Sequence, residues 1–282
     1  MKLLDGSGGS TKGNGIYAFF KEIINLGYTP DIMSGVSFSA LILVAISLRK
    51  YKELNHLMDN YTLDYIFDDP PINKKGNVKL KAVFKAISGC SGLSKMTPLE
   101  DILRNLVTEK DFIEYQSGNY PKCISMAVDF KSGTRVFNNA KTCSYEDYIN
   151  HTIASACIPV FTEPVNYNGK ILFDGGVRNH SIGAWICENY DVTECYSIFS
   201  RPEDFKIENT NWKDDNIIDV LSRNTEIRNI ELSKMSERDL INILPSAKIG
   251  FLPSILRSLY DADRGRLNQL TKAGKQVARN IY

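Results

Sequence analysis

The stretch YTPDIMSGVSFSALILVAISLRK, Tyr28 to Lys50, limits the possible folds more than any other part of the chain. It reads as a brief strand around Asp31 to Ser34, a tight turn, and then a helix that is apolar on nearly all sides. A helix without a polar face has to be covered all round, so it lies inside the molecule. Ahead of it, Lys2 to Leu4 make a strand candidate, and Ile16, Phe19, Phe20, Ile23 and Ile24 recur at i, i+3, i+4, i+7 and i+8, the helical period. Gly27 ends that helix. Strand, helix, strand and buried helix in this order predict an α/β fold of parallel strands covered by helices, with the ligand site at the strand C-terminal ends.

The remaining elements follow from local signals. Residues 51 to 96 read as helices and loops over the sheet. In TPLEDILRNLVTEKDF, Thr97 is the expected N-cap, with Pro98 at the first helical position and Glu100 three residues after the cap. CISMAVDFKSGTRVF gives two strands around the turn Lys131-Ser132-Gly133. A helix is expected from Tyr145 to about Cys157, stopped by Pro159. VNYNGKILFDGG is a hairpin turning at Asn168-Gly169, with its second strand ending at Asp174. Ser181 to Tyr190 is helical, Cys195 to Ser200 a buried strand, and the last third is rich in helix. In the final helix Leu267, Leu270, Val277 and Ile281 form one stripe with Gly274 as a gap in it. No repeat or low-complexity linker interrupts the chain, so residues 1–282 are read as a single domain.

Composition removes several classes of function. A net charge of +1 provides no general attraction to nucleic acid. No window reaches the about 18 to 20 uncharged apolar residues of a membrane span, and the expected location is the cytoplasm. Cys90, Cys123, Cys143, Cys157, Cys187 and Cys195 are spread without a CxxC pair and read as free thiols. With His56, His151 and His180 as its only histidines and no HExxH, the chain offers no zinc hydrolase signature, and neither a metal nor a cofactor is expected.

Three stretches carry chemistry. SGVSFSA sets Ser37 between strand and buried helix in a G-x-S-x-S pattern. A serine on such a turn is held out from the sheet with a helix N-terminus behind it, although strand-to-helix turns also use Gly and Ser for structure alone. FDGG ends a strand at Asp174, where two glycines admit other backbone close to the carboxylate; by itself Asp-Gly also makes an Asx turn. The loop in DGSGGSTKG fails the P-loop pattern at two positions, with Thr11 in place of the second glycine and Gly13 in place of the hydroxyl residue. It fails a dinucleotide fingerprint at the third glycine, again at Thr11. An oxyanion site suits it better, because Gly8, Gly9 and Ser10 can turn N–H groups toward one point ahead of a helix. Nucleophile, base and oxyanion site are the three parts of acyl transfer.

Taken in order, GGSTKG, DIMSGVSFSAL, IASACIPVFTEPV and FDGG resemble the patatin-like phospholipases, lipid acyl hydrolases with a Ser–Asp dyad, and LTKAGKQVAR extends the likeness toward the C-terminus. The resemblance implies a three-layer patatin-like fold with a central, mostly parallel sheet flanked by helices. It makes Ser37 the nucleophile, Asp174 its base, Gly8, Gly9 and Ser10 the oxyanion loop, and Lys12 the basic residue of that loop. Ser10 replaces a third glycine, and Ser39 replaces the elbow glycine. His180 follows Asp174 by only six residues, a poor place for the third member of a triad. The implied substrate is a membrane phospholipid or another acyl lipid. A soluble-ester carboxylesterase or thioesterase, and a catalytically silent lipid- or protein-binding module, are the rival readings.

For contact with a membrane, the basic amphipathic run at 74–87 is the candidate: Lys74, Lys75, Lys79, Lys81 and Lys85 alternate with Val78, Leu80, Val83, Phe84 and Ile87. The same pattern suits a lid helix with solvated lysines. IGFLPSILRSLY is a second apolar candidate. Phe38, Met96, Phe84, Phe112 and Phe161 are candidates to line an acyl tunnel or simply to fill the core.

Overall fold

The computed structural model describes residues 1–71, 79–204, 217–256 and 262–282. Its strands are β1 (Lys2–Gly6), β2 (Ile32–Val36), β3 (Gly92–Ser94), β4 (Lys122–Asp129), β5 (Thr134–Asn139), β6 (Val160–Thr162), β7 (Val165–Tyr167), β8 (Lys170–Asp174), β9 (Glu194–Phe199) and β10 (Lys248–Phe251). Its helices are α1 (Gly13–Asn25), α2 (Phe38–Ser47), α3 (Tyr51–Asn60), α4 (Leu80–Ile87), α5 (Thr97–Leu106), α6 (Glu109–Ser117), α7 (Tyr145–Ala154), α8 (Gly183–Asn189), α9 (Ile217–Ile243) and α10 (Arg264–Ile281).

The central sheet runs β10-β9-β1-β2-β4-β8-β7, with β5 also paired to β4. Strands β10, β9, β1, β2 and β4 are mutually parallel. Along these strands the side chains alternate between two cores, as a pleat requires. Leu4, Met33, Cys123, Tyr196 and Ile198 face one core with α1, α2 and α10. Leu3, Ile32, Val36, Ile124, Met126 and Cys195 face the other, closed by Ile182 and Ile186 around α8 and by Leu240 of α9. This is the expected mixed α/β architecture, a mostly parallel sheet between helical layers. Helix α2 is buried from Ser39 to Ser47 without a break. Gly274 lets α10 lie directly on α1: a methyl there would come within 2.1 Å of the Gly15 carbonyl oxygen.

Several expectations need correction. Helix α5 begins one residue earlier than expected: Thr97, expected as its cap, is its first residue, and Met96 stands at the N-cap. The Thr97 hydroxyl donates instead to the Asp68 carboxylate at 3.1 Å. The short strands β3, β6 and β10 were not anticipated, and β10 takes up the start of the IGFLPSILRSLY segment. In the basic run, Lys74, Lys75 and Val78 lie outside the described residues. Lys79 and Lys81 pair with Asp69, Lys85 donates to the Leu93 carbonyl, and Phe84 remains 65% exposed. No helix among the described residues is long and apolar enough to cross a membrane.

Candidate active site

Ser37 occupies the turn between β2 and α2 with φ 57° and ψ −127°, a region that a side chain rarely visits. The turn is tight enough that a methyl on Gly35 would lie 2.7 Å from the Ser39 Cβ. Such strain persists only when its surroundings hold it. Here Ser155, which follows α7, accepts the Ser37 N–H at 3.0 Å and donates its own hydroxyl to the Met126 carbonyl at 2.7 Å. Ser39 donates to the Ser7 carbonyl at 2.6 Å. The residue that replaces the elbow glycine therefore ties the turn to the glycine loop.

Asp174 reaches Ser37 by a route the sequence did not suggest. Strand β8 departs from the parallel strands: it is antiparallel to β4 as well as to β7, its partner across the two-residue turn at Asn168-Gly169. Strand β5 holds one edge of β4 from Ile124 to Asp129. The other edge is shared: β2 pairs as far as Val36 with Met126, and β8 takes over at Asp174 with Ala127. The C-termini of β2 and β8 thus meet head-on at consecutive residues of β4, and Ser37 and Asp174 stand at the junction. Gly175 is required there, since a methyl would come within 2.4 Å of the Met126 carbonyl oxygen.

The Asp174 carboxylate accepts the Gly176 N–H at 2.7 Å and interacts with the Ser37 side chain. Burial pushes its pKa up to about 7, outweighing the downward pull of these two hydrogen bonds. A carboxyl group with a pKa near neutrality can both take and return a proton at physiological pH.

The glycine loop follows β1. Gly8 lies against Ser37, a methyl on it falling 3.4 Å from the serine Cβ, and its N–H donates to the His180 carbonyl at 2.8 Å. That donor is therefore committed in this conformation, which takes Gly8 out of the expected oxyanion donors. A methyl on Gly9 would press on Ile16 and Ser200 at 2.9 and 3.0 Å. Ser10 adopts φ 46°, the left-handed conformation that a glycine takes more readily, and lines the same pocket as Ser37. Lys12 Nζ donates to the Ser200 carbonyl at 2.8 Å, anchoring the loop to the chain just beyond β9.

An apolar pocket opens from Ser37, walled by Phe38, Leu41, Met58, Met96, Leu103 and Ile158 among others. Phe38 and Met96 line this pocket and also pack in the main core. Phe112 is core, stacked on Tyr148, Phe161 clusters with Phe67, and Phe84 faces solvent.

Two further groups escaped the sequence reading. Asp5, fully buried, accepts hydroxyls from Ser34 at 2.7 Å, Ser181 at 2.6 Å and Ser197 at 2.7 Å. Its partners lie 29, 176 and 192 residues away, beyond any local pattern. Ser155 stood inside the motif IASACIPVFTEPV, but nothing in its spacing told which backbone it would brace.

The profile of the family described as "Patatin-like phospholipase" matches residues 7–186, a span that contains the elbow, Asp174 and the glycine loop. The chain belongs to the patatin-like phospholipase family. Membership brings with it the expectation of a hydrolase acting on lipid esters. VipD from Legionella pneumophila is a solved structure that the patatin-like chain resembles, with a TM-score of 0.50 and 12% sequence identity. The alignment covers 99% of this chain and 66% of that one, and at this identity the likeness concerns the fold. No curated protein matches the chain.

Proposed function

We propose that this protein is a phospholipase A-type lipid acyl hydrolase working through a Ser37–Asp174 dyad and an acyl-enzyme. The observation that carries this reading is the head-on meeting of β2 and β8, which sets a strained serine against a buried carboxylate with a pKa near 7. Asp174 takes the Ser37 proton as Oγ bonds to the ester carbonyl carbon. The resulting oxyanion is held by the Gly9 and Ser10 N–H groups, a contribution of about a hundred- to a thousandfold per donor in comparable sites. When the tetrahedral intermediate collapses, the bond to the alcohol oxygen breaks and Asp174 returns the proton to it. Water then enters, gives a proton to Asp174 and releases the fatty acid by the reverse sequence.

The apolar pocket beside Ser37 favours long acyl chains over short soluble esters. Chain-length profiling separates these two cases. Fluorophosphonate labelling tests the chemistry itself: the wild-type protein should be labelled and a folded Ser37→Ala variant should not. Equal labelling of both, or of neither, would remove the enzyme reading and leave a binding module.

A further inference from the structure

A second cavity, of about 380 Å³, lies between α8 and α9 and is bordered by Arg135 of β5. Its size falls in the range of small-molecule sites, about 300 to 1,000 Å³. It shares no residue with the apolar pocket at Ser37. The two also lie on opposite faces of the sheet: Leu41, Ile42 and Met58 of the first belong to the core beside α2, and Ile182 of the second belongs to the core beside α8. What happens at Ser37 therefore does not decide what this cavity holds.

Its charged side chains run in order from cation to anion. Helices α8 and α9 advance together, because Ser236 Oγ accepts the Ser181 N–H at 3.5 Å and a methyl on Gly183 would lie 3.4 Å from Leu240 Cδ2. Asn179, Ser181 and Ser236 thus mark one end, and Glu188 and Asn242 the other. From Gly183 to Glu188 the helix rises about 8 Å. Strand β5 crosses at the first end. Arg178 donates to the Gly133 carbonyl at 2.7 Å, and Phe137 stacks on Trp185 at 3.7 Å with the rings 11° apart. Arg135 stands between those two contacts, on the same face of the strand as Phe137. Asp239, one turn beyond Ser236, adds a second carboxylate toward Glu188.

These groups border one cavity and leave each other unsatisfied. Among the described residues, the side chains of Arg135, Asn179, Glu188 and Asn242 make no hydrogen bond or ion pair, and Asp239 approaches only Arg238, at 4.0 Å. Opposite charges that cannot reach one another across a cavity are both satisfied by a molecule that carries both signs. Trp185, held in plane by Phe137, offers its indole to the cationic half of such a molecule.

We infer that this cleft binds a small amino acid zwitterion whose charges are separated by several methylenes, with its carboxylate on Arg135 and Asn179 and its ammonium against Trp185, Glu188 and Asp239. The indole N–H NMR signal of Trp185, one of only two tryptophans in the chain and assigned with Trp185→Phe, reports the binding. Glycine, 4-aminobutyrate and 6-aminohexanoate are titrated into the full chain, with hexylamine and hexanoate as probes of a single charge. The signal should move saturably with 6-aminohexanoate, at an affinity tenfold or more above those of glycine, hexylamine and hexanoate, as the loss of a hydrogen-bonded charge predicts. Arg135→Gln should make 6-aminohexanoate bind no better than hexylamine, and Glu188→Gln no better than hexanoate, both at an unchanged Tm. A signal that stays in place with all five probes would overturn the proposal. So would single-charge probes that bind as tightly as the zwitterion, or glycine binding as tightly as the longer amino acids. Tighter binding of sn-glycero-3-phosphoethanolamine than of any amino acid would make the cleft a lipid headgroup site and overturn the assignment as well.

Discussion

Asp5 and Asp174 are both buried carboxylates near strand ends, and burial raises the pKa of both. They differ in how their oxygens are occupied. Asp5 is surrounded by three serine hydroxyls that join β1, β2, β9 and the turn before α8, so no room is left for a reacting partner. Asp174 receives one backbone N–H and otherwise faces Ser37. On the proposed function, the same side chain is a structural joint where its oxygens are saturated and a proton acceptor where they are not. Desolvation alone does not tell the two apart; the number of donors does.

Asp174→Asn is the strongest test of that contrast. Turnover should fall by about a thousandfold or more with the fold intact. In the wild type, kcat/KM should drop tenfold for each pH unit below an inflection near 7, where Asp174 holds its proton. Stability should respond in the opposite direction. The folded carboxyl keeps its proton up to about 7 while the unfolded one releases it near 3.8, so ionisation costs stability as pH rises through this window, and fully above it. Asparagine removes that cost. The variant should therefore melt above wild type at pH 8 and close to it below pH 3.8. A lower Tm at pH 8 would mean that Asp174 is a structural joint after all.

Asp5→Ala should do the reverse. It strands three buried hydroxyls, a loss of about 3 kcal/mol that lowers Tm by roughly 6 to 9 °C. Thermal melting measures it, and an unchanged Tm would break the comparison from the other side. The smallest effect belongs to Ser155→Ala, which removes the acceptor of the Ser37 N–H and a donor to Met126. We expect a roughly tenfold lower kcat with KM nearly unchanged, since about 1 kcal/mol of hydrogen bonding holds the elbow. A change confined to KM would assign Ser155 to substrate binding instead.

The parts of the site were legible where chemistry and local turn geometry coincide. Ser37 before an all-apolar helix, Asp174 after a hairpin, and the glycines after β1 could each be read within a dozen residues. What stayed hidden depends on pairing between distant segments. An Asn-Gly turn shows that β7 and β8 are antiparallel to one another, but not that β8 will share an edge of β4 with β2. Strands of three or four residues, such as β3 and β10, are too short to show a period. The commitment of the Gly8 N–H to His180 crosses 172 residues of chain and replaces a donor that the motif alone would have counted.

The route by which Asp174 arrives has one more consequence. A strand turns successive side chains to opposite faces, so sliding β8 by a single residue against β4 would send the carboxylate to the wrong face of the sheet. Crossover helices fix that phase for the parallel strands. For β8 it is fixed by its own ladder to β4, in which Leu172 faces Asp129 and Asp174 faces Ala127. One residue inserted between Leu172 and Asp174 would leave every catalytic candidate present in the chain and silence the pair by parity.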